Sequence, residues 1–567
     1  MVILGISAYY HDSAAAILVD GKIIAASCEE RFSRIKHDNS FPSKAIKYCL
    51  VEANVSYSQI DYVVFYEKPL VKFERILTSH IHHAPKGIGT FIKSIPIWLK
   101  EKLNLNKTIA KELNRTLNAD RNWDIRFVEH HLSHAAMAYY TSGYEDAAIL
   151  VIDAVGEKAT TSILKATGNK IELIKQQVFP NSIGLLYSSF TYFLGFKVNS
   201  DEYKVMGLAP YGDMMAKQTQ EYINIIEHEL INIGQDGSVI LNQEYFTFMY
   251  GMKMINAHKW ERLFRMRQRN GHELTQAHMN LAAAIQHVTE RIILRLARHA
   301  KNITNSESLC LSGGCALNCA AMGVVNDSGI FKRTFIPFAP GDDGGSIGAC
   351  LLLNSLSGNS SATSITPYLG PSFGDEDIIA ALEKSSFRNY SLEGAELYTK
   401  VAEYLSEGKI IGWFQGKMEF GPRALGNRSI LADPRDAKMK DRVNARIKFR
   451  ESFRPFAPVV LEEDAGEYFG INLAPYMTFT TEVKAGSVPA VTHIDNTARL
   501  QTVNKRQNAR LHQLLKEFKA QTNCPVLLNT SFNVMGEPIV CTPEDAIRTF
   551  EKSGIDILVV NNYIIEK

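Results

Sequence analysis

MVILGISAYYHDSAAAILVDG (residues 1–21) and AAILVIDAVGE (residues 147–157) open on one pattern: an apolar strand, a small or polar turn, then a hairpin. In the first, Val2–Ser7 and Ala14–Val19 read as short strands joined by a polar turn, and Lys22–Ser27 follows the Asp20-Gly21 turn signal as a third. In the second, Ala147–Asp153 runs on into Thr160–Lys165 and Lys170–Gln176. Two meander openings of this kind predict a duplicated α/β unit, and a duplication constrains the architecture more than any single element does.

Outward from these stretches, the pattern turns helical between Met252 and about Asn302. There Leu281, Ile285, Val288, Ile292, Leu294 and Leu296 keep an apolar stripe near a 3.6-residue period. Leu309–Leu311 is a strand entering the small-residue turn SGGCALN. Residues 354–366, NSLSGNSSATSIT, are polar, Ser-rich and aperiodic, the best linker in the chain. They predict a cut near residue 360, with one domain over 1–356 and a second over 366–567. Beyond the cut, Asp375–Lys384 and Tyr398–Glu407 read as helices and Lys409–Phe414 as a strand.

The chain of 567 residues is 46% hydrophobic and 22% charged, enough for a sizeable core in several folding units of about 150 residues each. A net charge of +2 gives no global argument for nucleic acid or an anionic membrane. Basic residues do outnumber acidic ones from Lys68 to Arg126, where solvated helix faces account for them. The eight cysteines include no CxxC pair and read as reduced core thiols, which predicts a cytoplasmic protein. The first 21 residues lack a basic leader and are interrupted by His11 and Asp12, so they read as neither signal peptide nor anchor.

Three constellations carry chemistry. His130 and His134, four apart in EHHLSHAA, share one face if the segment is helical and can grip one cation. Two polar helix residues would give the same spacing, but Asp153 ends an apolar strand and Asp343 sits in the turn GDDGG. Two imidazoles and two carboxylates form a mixed site suited to iron(II), manganese or zinc. The neighbouring Asp342 keeps the fourth position open. Next, glycine turns after strands (Gly5-Ile6-Ser7, Asp153 to Gly156, and Ser312-Gly313-Gly314) allow backbone amides to approach phosphate oxygens. Together, in a duplicated frame, they point to nucleotide binding of the actin-like ATPase kind. Last, FGPRALGNRS (420–429) and KFRESFRPFAP (448–458) tie basic residues to Gly/Pro-constrained turns, as recognition of phosphate and carboxylate requires. Arg499 and the turn Asn529 to Asn533 add donors for an adenylate pocket, or cap helices.

These motifs, with HDSAAAIL, EERFSRIKHD, EYKVMGLAPYG, LSGGCALN, GDDGGSIGA, FRPFAP and LNTSFN, run in order along nearly the whole chain. The sequence thereby resembles the nodulation/cephamycin/tobramycin (NodU/CmcH/TobZ) type of O-carbamoyltransferase. The resemblance implies a duplicated actin-like domain, related to the universal tRNA threonylcarbamoylation protein, followed by an α+β YrdC-like domain. It implies that carbamoyl phosphate and ATP, with Mg2+, form carbamoyl-adenylate, and that a hydroxyl of a small acceptor then takes the carbamoyl group and releases AMP. It implies that His130, His134, Asp153 and Asp343 are iron ligands and His11 the general base. Lys36 corresponds to a ligand-contacting lysine, and Arg423, Arg454, Asn529 and Ser531 to adenylate contacts, with Lys448 and Arg499 added. Gly313 and Gly314 belong to the nucleotide turn. Neither nucleic acid nor membrane is an expected partner, and the assembly is open, a homodimer being compatible with the sequence. The rival readings are a small-molecule kinase of the actin-like superfamily, a threonylcarbamoyl tRNA-modifying transferase, and a non-catalytic nucleotide-binding scaffold.

Overall fold

The first strand, Val2–Ser7, is apolar along its length because both of its faces are covered. It lies in a five-stranded sheet of order Lys22–Cys28, Ala14–Val19, Val2–Ser7, Tyr62–Phe65, Ile125–Phe127. Pairing is parallel from Val2–Ser7 to Tyr62–Phe65 and from there to Ile125–Phe127. The second sheet repeats that order: Lys170–Val178, Ala159–Thr167, Asp146–Ile152, Ser308–Ser312, Arg333–Phe335. Here an antiparallel meander of three strands precedes two parallel ones. The duplication expected from the two openings is thus present as topology. The structure is a computed structural model and describes residues 1–97, 104–359, 365–451, 453–484 and 488–567.

The expected long helical region is Ala257–Phe264 followed by Gln276–Thr304, whose buried stripe includes Leu281, Ile285, Val288, Ile292 and Leu296. Asn305, in the left-handed region, ends it. The basic stretch from Lys68 to Arg126 contributes helices Pro69–His83, Ile88–Ile97 and Leu105–Leu117; residues 98–103 lie outside the described residues. In the later part of the chain an eight-stranded, mostly antiparallel sheet runs Arg388–Ser391, Tyr563–Glu566, Ile557–Val560, Ile411–Phe414, Arg428–Ala432, Val526–Ser531, Ala457–Leu461, Gln501–Val503. Among the described residues no helix is long and apolar enough to cross a membrane. All eight cysteines are free thiols.

The chain divides into two compact units. One comprises Met1–Ser7, Ala15–Ile24 and Leu50–Ser364, and the other Ala8–Ala14, Ala25–Cys49 and Ile365–Lys567. Residues 8–14 and 25–49, placed by sequence in the N-terminal domain, therefore group with the C-terminal unit. The reason is local bonding. Arg31 donates to Gly421 O at 2.9 Å, Arg34 to Ile539 O and Pro538 O at 2.7 and 3.0 Å, and Tyr48 to Leu369 O at 2.8 Å. Phe32 packs against Met418, Ala424, Ile539 and Cys541. No sequence periodicity reports contacts between segments so far apart in the chain.

Within the first unit, the helices His130–Ser142 and Gly345–Leu356 meet closely. A Cβ on Gly348 would fall 1.9 Å from Ser133 O, so only glycine allows this approach. The contact sets the first turn of one helix beside the turn that leads into the other.

Candidate functional site

Helix His130–Ser142 starts directly after an extended Glu129, so His130 and His134 occupy its first two turns on one face. Asp153 follows the buried strand Asp146–Ile152, and Asp342 opens the 3-10 turn Asp342–Gly344. Ser7 Oγ ties that turn to the end of the first strand by donating to Asp342 O at 2.8 Å. These four side chains converge, each offering one ligand atom within 4.8 Å of the others. His130 Nε2 is 3.1 Å from His134 Nε2, 3.1 Å from Asp153 Oδ2 and 3.6 Å from Asp342 Oδ1; His134 Nε2 is 3.4 Å from Asp342 Oδ1. Such separations are those of neighbouring ligands roughly 2.1 Å from a common centre.

Asp342 thus takes the place expected of Asp343. A 3-10 turn advances about 120° per residue, so two successive side chains cannot face the same point. Asp343 Oδ1 instead accepts the Gly344 amide at 3.0 Å and its carbonyl accepts Ser346 Oγ at 2.8 Å.

The electrostatics fit a cation. The Nδ1 atoms of His130 and His134 are buried with no hydrogen-bond partner among the described residues, so both rings work through Nε2. Two nitrogen lone pairs 3.1 Å apart repel unless something positive lies between them. Burial opposes charge on His130, yet Asp342 and Asp153 raise its pKa to about 9. Burial likewise opposes ionisation of Asp153, and the bond to His130 with the nearby imidazoles overrides it, holding the carboxyl well below the usual carboxylate range. One proton leaves the two carboxylates undercompensated, whereas a divalent ion balances both. His131, by contrast, points to Ser162 Oγ at 2.7 Å and is pushed down to about 3 by burial and by His130. It is a neutral buried residue.

The glycine turn meets this cluster. Gly313 has φ +88, and a Cβ there would lie 2.3 Å from Ile152 O. Gly314 N approaches Asp153 Oδ1 at 3.4 Å, while the Ala154 amide donates to the same oxygen at 2.8 Å. Oδ2 of Asp153 is left to His130.

In the second unit, a π-helical turn Asn444–Lys448 carries Lys448 into the interior, where it is 4% exposed. Its Nζ lies 2.5 Å from Ser531 O, 3.2 Å from Ser531 Oγ, 2.7 Å from Asn533 Oδ1 and 3.1 Å from Asn533 O, acceptors that share its N–H groups. Burial first, then the charges of Arg450, Arg454 and Lys36, hold its pKa well below the ordinary lysine value. The expected Lys36, Lys448, Arg454 and Ser531 therefore share one neighbourhood, to which the structure adds Arg450 and Asn533. Asn529, on Val526–Ser531, is buried and donates to Gln501 Oε1 at 2.7 Å. Arg499 ends the strand Thr497–Arg499 and, after burial, helps push His493 down to about 4 against Asp495.

Within FGPRALGNRS the two arginines differ. Arg428 is fully buried, donates to Gln415 O at 2.6 Å and Pro371 O at 3.1 Å, and lies 3.6 Å from the centroid of Phe414. Glu419 Oε1 accepts the amides of Leu425, Asn427 and Arg428. These two groups shape the loop, and half-buried Arg423 stands on its outer turn. Arg450, inside KFRESFRPFAP, and Asn533, in the turn that adds donors, lay within the quoted motifs without a role of their own, whereas Gln501 lay outside every motif.

His11 and Lys36 both lie in the second unit. His11 Nδ1 is 2.8 Å from Asp12 Oδ2, and His37 Nδ1 is 2.7 Å from Asp12 Oδ1.

Comparison with known proteins gives a consistent result. Models for a carbamoyltransferase N-terminus and a carbamoyltransferase C-terminus match residues 2–351 and 402–567. An uncharacterised protein of Synechocystis sp. is 46% identical over all of this chain and 96% of its own. The nodulation protein NolNO of Sinorhizobium fredii is 39% identical over 99% of this chain and 79% of its own. A 3'-hydroxymethylcephem-O-carbamoyltransferase of Amycolatopsis lactamdurans is 34% identical over 50% of this chain and 53% of its own.

Proposed function

Because the chain belongs to the carbamoyltransferase family and is an enzyme that transfers carbamoyl groups, we propose that it is an ATP-dependent O-carbamoyltransferase working through a carbamoyl-adenylate. Carbamoyl phosphate and ATP react in a YrdC-like second unit, releasing phosphate and pyrophosphate. The carbamoyl group then passes to a hydroxyl of a small acceptor, a sugar, antibiotic or other secondary metabolite, and AMP leaves. The first unit is read as an actin-like domain, an assignment that its repeated sheet order favours.

One observation carries this reading: the buried ammonium of Lys448 lies in the field of Arg450, Arg454 and Lys36. Mutually repelling cations in a low-dielectric place are stabilised by an anion, and phosphate or carboxylate oxygens suit arginine's planar donors. Arg454 and Lys36 would take phosphate oxygens of ATP or carbamoyl phosphate. Lys448, anchored by Ser531 and Asn533, would orient them, and Arg423, Asn529 and Arg499 would hold the adenylate. His11 would take the acceptor's proton as attack proceeds. His130, His134, Asp153 and Asp342 would hold a divalent ion, iron(II) being favoured over manganese or zinc, and a bound cation of this kind stabilises charge that gathers on a leaving phosphate. Gly313 and Gly314 would let backbone amides approach the nucleotide. Mg2+ would accompany ATP.

The test supplies ATP, carbamoyl phosphate and metal with a panel of hydroxylated compounds and follows nucleotide products and product mass. AMP and pyrophosphate, formed only when carbamoyl phosphate is present, are the expected result. ADP as the nucleotide product would replace this reading with a kinase.

A further inference from the structure

The segments 9–13 and 37–39 are joined by main-chain bonds, Tyr9 N to Asn39 O at 3.0 Å and Ser13 N to Asp38 O at 2.8 Å. These bonds hold the two segments together, and the Asp12 side chain lies between the imidazoles of His11 and His37. Its two oxygens divide: Oδ2 faces His11 Nδ1 at 2.8 Å and Oδ1 faces His37 Nδ1 at 2.7 Å. An ionised carboxylate only accepts hydrogen bonds, so each Nδ1 that faces it carries a hydrogen. In a neutral ring the proton-accepting nitrogen is then Nε2. The three side chains are about one-third exposed, with relative accessibilities of 31% for His11, 29% for Asp12 and 33% for His37. A ligand can therefore reach these side chains from solvent. The ring of Tyr10 lies 4.7 Å from that of His11 and limits its swing.

We propose that Asp12 is a positioning residue for His11, fixing the tautomer in which Nε2 receives the acceptor's proton, with His37 pinning the other carboxylate oxygen against rotation. This rests on the reaction proposed above. In it the acceptor oxygen forms a bond to the carbamoyl carbon, and the bond from that carbon to the adenylate phosphate oxygen breaks. AMP departs with the electron pair, and the hydroxyl proton passes to His11 Nε2. The carboxyl of Asp12 is ionised throughout: burial opposes this, but the bonds to His11 and His37 keep it well below the usual carboxylate range.

Asp12, Glu30 and His37 also come near enough to share a cation. Glu30, however, already accepts the His37 amide at 2.9 Å and pairs with Arg31 at 2.8 Å. Each imidazole meets its own carboxylate oxygen. The arrangement is that of two hydrogen bonds rather than of a shared ligand sphere.

Asp12→Asn tests the proposal, because an amide can accept from one imidazole only by offering its NH2 toward the other. In full-length protein labelled with 15N-histidine, the His11 signals are assigned by their loss in His11→Gln. The wild type is expected to show Nδ1 protonated and Nε2 bare at pH 8, and Asp12→Asn a mixed or reversed tautomer. With the acceptor found by the panel, kcat should fall about 10²–10³-fold in Asp12→Asn while KM changes little. Asp12→Glu should recover at least tenfold of that loss. A wild-type His11 protonated at Nε2, or an Asp12→Asn enzyme that transfers at the wild-type rate, overturns the proposal. So does a bound divalent ion that His37→Gln removes and Asp342→Asn does not, which would make this a cation site. Failure of the wild type to form AMP strikes the underlying reaction instead, and the tautomer measurement still decides the role of Asp12.

Discussion

Asp342 and Asp343 share one 3-10 turn, and such a turn sends successive side chains in directions about 120° apart. Asp342 reaches the imidazoles, with Oδ1 3.4 Å from His134 Nε2, and Asp343 returns to the amide of Gly344. One carboxylate faces the candidate ligands and its neighbour steadies the turn that carries both. Asp342→Asn should therefore weaken binding of a divalent metal at least tenfold, and Asp343→Asn should weaken it far less. Metal content after dialysis and calorimetric titration measure this, and the reverse order would return the fourth position to Asp343. Arg428 and Arg423 divide in a comparable way. Arg428 directs its donors to backbone carbonyls in the interior, leaving Arg423 the better candidate for a ligand.

The element that positions the metal candidate is a helix pair rather than a loop. His130–Ser142 carries both imidazoles, and Gly345–Leu356 continues from the turn that bears Asp342. The two touch through Gly348, where a side chain would meet Ser133 O at 1.9 Å. Gly348→Ala should push the helices apart, costing about 2–3 kcal/mol of stability. It should lower metal affinity as well, although it touches no ligand. Urea denaturation with and without metal reads both effects, and an alanine variant that matches the wild type in each would show that this contact does not set the site.

At the scale of the whole molecule, the two candidate centres are built from different units: the metal cluster from the first, the cationic neighbourhood of Lys448 from the second. If each supports one half-reaction, single changes should separate them. His130→Ala should abolish transfer and bound metal while carbamoyl-phosphate-dependent exchange of pyrophosphate into ATP survives. Arg454→Ala should reduce that exchange by about two orders of magnitude. Equal loss of exchange in both variants would mean that the labour is not divided in this way.

Local pattern was enough for the meander openings, the amphipathic stripe of Gln276–Thr304 and the helical spacing of His130 and His134, because strand and helix periods are properties of neighbours along the chain. Motif resemblance added Lys36, Lys448, Arg454 and Ser531 as candidates. Which of two adjacent aspartates faces the imidazoles, which unit holds residues 8–14 and 25–49, and that Arg450, Asn533 and Asp12 join these groups were decided only in three dimensions. Those outcomes depend on turn rotation and on contacts between segments hundreds of residues apart, and a one-dimensional pattern carries neither.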